Sequence, residues 1–329
     1  MKNYKVILML AICLTAFAAC KKDQKNMPEP IDYGKIVIPD FNADSAYNYV
    51  AKQCSFGSRI PNSEAHKKCA EYLVEFFQRY ADTVYVQEFD AKLYDGTPVK
   101  GKNIIASINP DLRNRVLMAA HWDSRLWADQ DKNSNLNKTP VMGANDGASG
   151  VGVLMEMARA INSHKTDIGV DFILFDLEDQ GAPEWADYQS QTQDDWCLGS
   201  QYWSQNKHLP FYTADYGILL DMVGYRNARF TKEAQSMGYA AFIMNKVWNV
   251  AKSLNYGHLF VDMTSGGVMD DHVWVNHYAK IPMIDIVQSS PDGGFFPHWH
   301  TTTDDMNSIG KQTLKAVGDV CLTTIYSAQ

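Results

Sequence analysis

Residues 171–179 read DFILFDLED. Four apolar residues, 172–175, run straight into Asp176, Glu178 and Asp179. A short continuous apolar run is how a strand buried on both faces is written. The acids mark where that strand leaves the core. The construction recurs: residues 115–120 (RVLMAA) run into His121 and Asp123, and residues 216–221 (YGILLD) close on Asp221. A further strand is expected at 281–287, and helices at 148–161, near 199–205, near 238–253 and at 311–326. Strands alternating with helices predict an α/β fold: a mostly parallel sheet covered on both faces. Ionisable residues at the carboxyl edge of such a sheet lie where α/β proteins bind their ligands.

Outward from this block, residues 63–80 carry Cys69, Tyr72, Leu73, Phe76, Phe77 and Tyr80 at spacings of three and four, an amphipathic helix that Pro61, Asn62 and Ser63 begin well. Residues 84–89 and 103–108 read as strands with an Asp95-Gly96 turn signal between them. No internal repeat is present. The loops at 124–145, 181–197 and 288–299 are long, and long loops in a compact domain are often functional.

The chain has 329 residues, 46% hydrophobic and 21% charged, enough for a large core in one domain, expected at 41–329. Its formal charge of −8 offers no basic footprint and argues against a nucleic-acid partner. Lys2 and Lys5 precede a short apolar run, 6–19, ending at Ala18-Ala19-Cys20. That run is too short to span a membrane securely and reads as a targeting segment. It resembles a bacterial lipoprotein signal with Cys20 as the lipidated residue, although Phe17 departs from the usual small aliphatic residue. The alternative is an ordinary secretory signal cut nearby. Either reading places the protein outside the cytoplasm, with residues 21–40, which hold Pro28, Pro30 and Pro39, as a tether. Four cysteines follow Cys20, with no CxxC pair. Cys69 reads as a buried thiol, and a disulfide among the four is open.

The candidate chemistry lies in carboxylates and imidazoles without paired cysteines, a combination that suits zinc. Asp146 sits in GANDGASG (143–150), where glycines allow a tight turn; it could equally cap the next helix. Glu178 and Asp179 are adjacent acids, which a cation would relieve by binding one and leaving the other to move protons. Asp270, Asp271 and His272 form DDH, readable as a site or as a helix start with acids at its positive end. His300 lies in FFPHWHTTTDD (295–305), flanked by aromatics that would exclude water; His298 would point the other way.

HWDS (121–124), NDGASG (145–150), FDLED (175–179), LLDMVG (219–224), SGGVMDDH (265–272) and FFPHWHTTTDD occur in this order, after GSRIPNSEAH at 57–66. Together they resemble the zinc-dependent glutaminyl cyclases of animal type and their bacterial relatives, within the wider zinc aminopeptidase-like superfamily. The resemblance runs from about residue 45 to the end. It implies a zinc-exopeptidase-like fold, a mixed sheet and one zinc held by Asp146, Asp179 and His300. Glu178 would be the general acid/base, joined by Asp221 and Asp270 in a hydrogen-bonded acidic chain. Trp185, Trp299 and Phe296 would line the pocket. Asp179 departs from the family's usual glutamate, and Met269 from a usual polar residue. The activity implied is closure of an N-terminal glutamine of peptides or proteins to pyroglutamate with loss of ammonia. The rival is a secreted two-zinc aminopeptidase, for which His121 and Asp221 would be further ligands.

Overall fold

Continuous apolar strands make the centre of the molecule. β1 (Thr83–Lys92) and β2 (Pro98–Ile108) form an antiparallel hairpin; β3 (Arg115–His121), β4 (Gly169–Phe175), β5 (Tyr216–Asp221) and β8 (Met283–Val287) run parallel to one another. β2 joins the parallel block antiparallel to β4, giving the order β1-β2-β4-β3-β5-β8. The short β6 (Phe230–Lys232) and β7 (Phe260–Thr264) pair separately. The structure is a computed structural model and describes residues 31–187, 192–289 and 294–328.

Side chains alternate faces along each strand. Ile104, Met118, Ala120, Phe172, Leu174, Ile218 and Leu220 face one layer; Ile105, Leu117, Ala119, Ile173, Phe175 and Leu219 face the other. The first layer is covered by α1 (Ala43–Cys54), α2 (Glu64–Tyr80), α3 (Ala148–Ser163), α5 (Ala234–Ser253) and α7 (Lys311–Tyr326). The second is covered by α4 (Leu198–Gln205) and by α6 (Asp271–Trp274) with the π-turn Val275–Ala279 that continues it. α2 buries Cys69, Leu73, Phe76 and Phe77, the stripe its spacing predicts, and Ser63 caps it by accepting the His66 N–H. The chain leaves β3 toward β4 on one side and then crosses to β5 on the other. The carboxyl ends of β3 and β5 therefore flank a topological switch point, where α/β sheets open a crevice.

The strands expected from sequence are all present. The helix at 43–54, the small β6–β7 sheet and the antiparallel junction of β2 with β4 are additional. Within the stretch expected as a tether, Tyr33, Ile36 and Ile38 pack against the main core. The compact unit begins at Tyr33. Cys20 and the targeting segment lie outside the described residues, as do parts of the loops at 181–197 and 288–299. Cys54, Cys69, Cys197 and Cys321 are buried free thiols, so no disulfide joins them. No helix among the described residues is long and apolar enough to cross a membrane.

Candidate active site

Asp123 ties two strand ends together. Its carboxylate accepts the backbone N–H groups of Glu178 (3.1 Å) and Asp179 (3.2 Å) and the Gln180 side-chain amide (2.9 Å). The loop after β4 thus hangs on the loop after β3. Leu177, at a left-handed φ of 57°, turns the chain sharply before Glu178. On the other side, Asp304 accepts the N–H groups of Asn145 (2.8 Å) and Asp146 (3.0 Å). Gly147, at φ 96°, lies so close to this junction that a Cβ would stand 2.3 Å from the Asp123 carbonyl. Asp146 is not the cap of α3: Gly147 holds that position with no side-chain cap bond. The Asp146 carboxylate instead faces His121 Nε2 at 3.1 Å and His300 Nε2 at 3.7 Å.

Two ligand-like sets share Asp146. In one, Asp146, Asp179 and His300 bring an atom each within 4.8 Å of one another, with His300 Nε2 2.9 Å from Asp179. In the other, His121, Asp146 and Asp221 do the same, with His121 Nε2 3.1 Å from Asp221. The first set fits a metal on its own features. Asp179 Oδ2 is buried and has no hydrogen-bond partner among the described residues. The far nitrogen of His300 faces Asp129 at 3.3 Å, the carboxylate–imidazole relation that orients a ligating histidine. Two carboxylates and one imidazole are a donor set that zinc takes with a fourth position open.

Burial dominates the electrostatics. It pushes Glu178 well above the usual carboxylate range, and Asp270, Asp179 and Asp271 add to the rise while His121 opposes it. Burial, then Asp146, carries Asp179 up to about 6. Asp221 rises to about 7 through burial, with Asp146 and Asp270 adding and His121 opposing. Burial disfavours charge on His300, yet Asp179 and Asp129 lift it to about 9. Acids crowded this closely in a dry site favour any cation that enters.

The pocket above these groups holds about 320 Å³ and is walled by Glu178, Asp221, Asp270, Trp196, Phe295 and Trp299, among others. Trp299 stacks on the His300 ring at 3.8 Å, and Trp196 lies parallel to it at 5.9 Å. Of the expected residues, Asp146, Glu178, Asp179, Asp221, Asp270, Trp299 and His300 all meet here. The aromatic side chains that line the pocket among the described residues differ in part from those expected. Trp185 stands 42% exposed against Trp127 and is not part of the wall among the described residues. Phe296 is buried beneath it with Met222 and Val287. Trp196 and Phe295 take those places. Gly181 makes room for Trp196, since a Cβ there would overlap the Trp196 ring at 1.9 Å.

The expected acidic chain is also arranged differently. Asp221 pairs with His121 rather than with Glu178, while a carboxylate oxygen of Asp270 and the Cys197 thiol lie within 4.8 Å of Glu178. DDH satisfies both of its readings, since Asp270 caps α6 and also faces the pocket. Sequence reasoning missed Asp129 and Arg125. The Arg125 guanidinium binds Asp129 at 2.6 Å, donates to the Asp179 and Gly181 carbonyls, and underlies Trp196 at 4.5 Å. His298 turns away to Thr303.

Residues 103–325 match the model of peptidase family M28. A Zn-dependent exopeptidase from Parabacteroides distasonis is 49% identical, covers 88% of this chain and 99% of its own, and superposes with a TM-score of 0.86. The glutaminyl cyclase of Bacteroides thetaiotaomicron, solved with N-acetylhistamine, is 45% identical over 89% of this chain and 100% of its own, with a TM-score of 0.87. The aminopeptidase YwaD of Bacillus subtilis is 27% identical over 70% of this chain, which spans only 43% of that protein's length. The fold is zinc-exopeptidase-like, and the chain belongs to peptidase family M28.

Proposed function

We propose that this protein is a glutaminyl-peptide cyclotransferase that converts the N-terminal glutamine of peptides or proteins to pyroglutamate, releasing ammonia, with one zinc ion held by Asp146, Asp179 and His300. The observation that carries the reading is this three-ligand set beside Glu178 on the wall of one small aromatic pocket. The 45% identity to a protein described as a glutaminyl cyclase supports the choice of reaction. Zinc there would supply Lewis acidity toward the glutamine side-chain amide.

The chain's own residues do the rest. Glu178 takes a proton from the α-amine as the amine attacks the amide carbon, then gives a proton to the leaving ammonia. Its burial among acids makes it basic enough for the first step and acidic enough for the second. Asp270 supports the tetrahedral state by a hydrogen bond, and Asp221 balances His121. Trp299, Trp196 and Phe295 hold the side chain bent over the amine. They also keep out water, which would otherwise hydrolyse the amide to glutamate.

A two-zinc aminopeptidase is the second reading, favoured by the His121, Asp146 and Asp221 set. The test uses residues 21–329. Ammonia and a pyroglutamyl product from a Gln-initiated peptide, with one zinc per chain, support the cyclase. Free amino acids from Leu- and Ala-initiated peptides, with two zinc ions, overturn it. Glu178→Gln should abolish turnover while zinc stays bound.

We also propose an extracytoplasmic lipoprotein anchored through Cys20, a reading supported by the sequence of residues 1–20 alone. Cys20→Ser should move the protein from membranes to the soluble fraction. A membrane-bound Cys20→Ser protein would rule the anchor out.

A further inference from the structure

Glu178 has a second set of neighbours besides the three proposed zinc ligands. Cys197 Sγ stands 3.4 Å from Glu178 Oε1. That sulfur, a carboxylate oxygen of Glu178 and one of Asp270 lie within 4.8 Å of one another. None of the three residues belongs to the Asp146, Asp179 and His300 set.

The backbone fixes the thiol in this place. Cys197 stands just before α4 at a left-handed φ of 57°. Its N–H donates to the Glu178 carbonyl at 2.8 Å, and the Leu198 N–H donates to the Leu177 carbonyl at 3.0 Å. The turn that aims Glu178 therefore aims Cys197 as well. The other cysteines are placed differently: Cys54, Cys69 and Cys321 sit in the main apolar core, whereas Cys197 faces carboxylates.

Two observations point to a cation. Asp270 is 3% exposed and lines the pocket, and its Oδ2 is buried with no hydrogen-bond partner among the described residues. A carboxylate oxygen in that state is costly unless a positive group reaches it. The spacing fits too. Zinc–sulfur and zinc–oxygen bonds of about 2.3 and 2.1 Å, opened to a tetrahedral angle, set sulfur and oxygen about 3.6 Å apart. The observed 3.4 Å is close to that separation. An ion can enter from the pocket, whose wall includes Glu178 and Asp270, and the fully buried Cys197 closes the set. Oxygen donors alone would suit calcium or magnesium; the sulfur turns the preference to softer ions.

We propose that Glu178, Cys197 and Asp270 form a second cation site that takes a thiophilic divalent ion, zinc in excess or cadmium, and that filling it stops turnover by occupying Glu178. The ion displaces the thiol proton, which leaves to bulk water, and binds the resulting thiolate. The loss of turnover rests on the role given to Glu178 under Proposed function; the binding does not.

The experiment adds cadmium to the zinc-loaded protein after unbound zinc has been removed. Cadmium should lower turnover and raise an ultraviolet thiolate-to-metal charge-transfer band, with one midpoint for both. Asp146, Asp179 and His300 contain no sulfur, so exchange at that set gives no band. Cys197→Ala should lack the band and need more than about 10-fold more cadmium or zinc to lose half of its own activity, since even a partner one shell further from a metal is worth that much. Cys197→Ser should also lose the band, which keeps the assignment testable if the alanine variant does not fold. Inhibition of the wild type without a band, a band kept in Cys197→Ala, or equal sensitivity of the two proteins would overturn the proposal. A second ion that raises turnover and gives no band would place it at His121 and Asp221 and support the aminopeptidase. Product analysis judges the cyclase reading separately: amino-acid release would sink that reading, while the band would still decide whether Cys197 binds the ion.

Discussion

Replacing Asp123 by Asn should disable this protein by loosening a joint that no substrate touches. Asp123 is completely buried, and its two oxygens serve four groups: the Glu178 and Asp179 N–H, the Gln180 amide and, at 3.4 Å, His121 Nδ1. Asparagine offers one carbonyl oxygen and a donor amide. Whichever way it turns, its NH₂ group meets a backbone N–H that then has no acceptor. A buried donor left unsatisfied costs about 1–3 kcal/mol, and losing a bond to a charged acceptor costs a similar amount. The sum is about 3 kcal/mol, which lowers the melting temperature by roughly 5 °C for a domain of this size.

The functional loss should exceed the stability loss, because the orphaned N–H groups belong to the proposed acid/base and to a proposed zinc ligand. A shift of about 1 Å in Glu178 lowers kcat about 100-fold. The assay pairs thermal unfolding with steady-state kinetics on the zinc-loaded variant well below its melting point. An Asp123→Asn protein that melts with the wild type and turns over at the wild-type rate would refute the claim that this carboxylate suspends the β4 loop.

Asp129→Asn should weaken zinc binding about 10- to 100-fold by freeing the His300 ring, measured by competition with a chelator; unchanged affinity would remove Asp129 from the site. Gly147→Ala should cost about 1–3 kcal/mol from its positive φ alone, with more from the approach to the Asp123 carbonyl. Gly238→Ala, with nothing within 4 Å, should instead stabilise α5 by up to about 1 kcal/mol. Denaturation midpoints of the two variants test that contrast. His208 accepts the Trp203 indole N–H, and burial holds it down at about 4. Its folded pKa lies below its ordinary 6.5, so the unfolded chain takes up the proton first. The stability this supplies is complete above pH 6.5 and falls away toward pH 4, by up to about 3 kcal/mol. His208→Gln should flatten that part of the stability profile, and an unchanged slope would assign it to other groups.

The parallel strands were legible because burial on both faces leaves a strand no choice but a continuous apolar run, as in RVLMAA and DFILF. α1 was not, because ADSAYNYVAKQC buries only Ala46, Val50, Gln53 and Cys54. The direction of β2 against β4 has no local signature: Ile104, Ile105 and Ala106 would suit either pairing. The residues that gather at the pocket were legible as strand-end acids and histidines. Their supports were not, since Asp123 acts on a loop 55 residues away and Asp304 on one 158 residues away. Choosing between Trp185 and Trp196 required knowing that the chain folds back on Gly181 with Arg125 beneath, a fact of packing rather than of pattern.

What separates the acids of this site is the number of donors each one receives, not the motif it sits in. Asp123 has backbone and amide donors on both oxygens; Asp304 has two backbone donors; Asp176 accepts from His66, Lys102 and Leu177. Carboxylates so fully engaged can hold loops but have little left to offer a metal or a proton. Among the described residues, Asp179 keeps an oxygen without a partner, and the Glu178 carboxylate accepts a hydrogen bond only from the weak Cys197 thiol at 3.4 Å, with His121 Nδ1 farther off at 3.7 Å. Adjacent residues in DFILFDLED are thereby divided: Asp176 is spent on structure, and Glu178 and Asp179 are left for chemistry. By this reasoning, supplying Glu178 with a strong donor should suppress turnover without moving the pocket. Cys197→Ser places a hydroxyl where the thiol stands, and a stronger hydrogen bond to the ionised carboxylate makes it a poorer base. The expected result is a lower kcat with zinc content and KM near wild type. A rise in kcat, or a loss explained by missing zinc, would break the link between donor count and role.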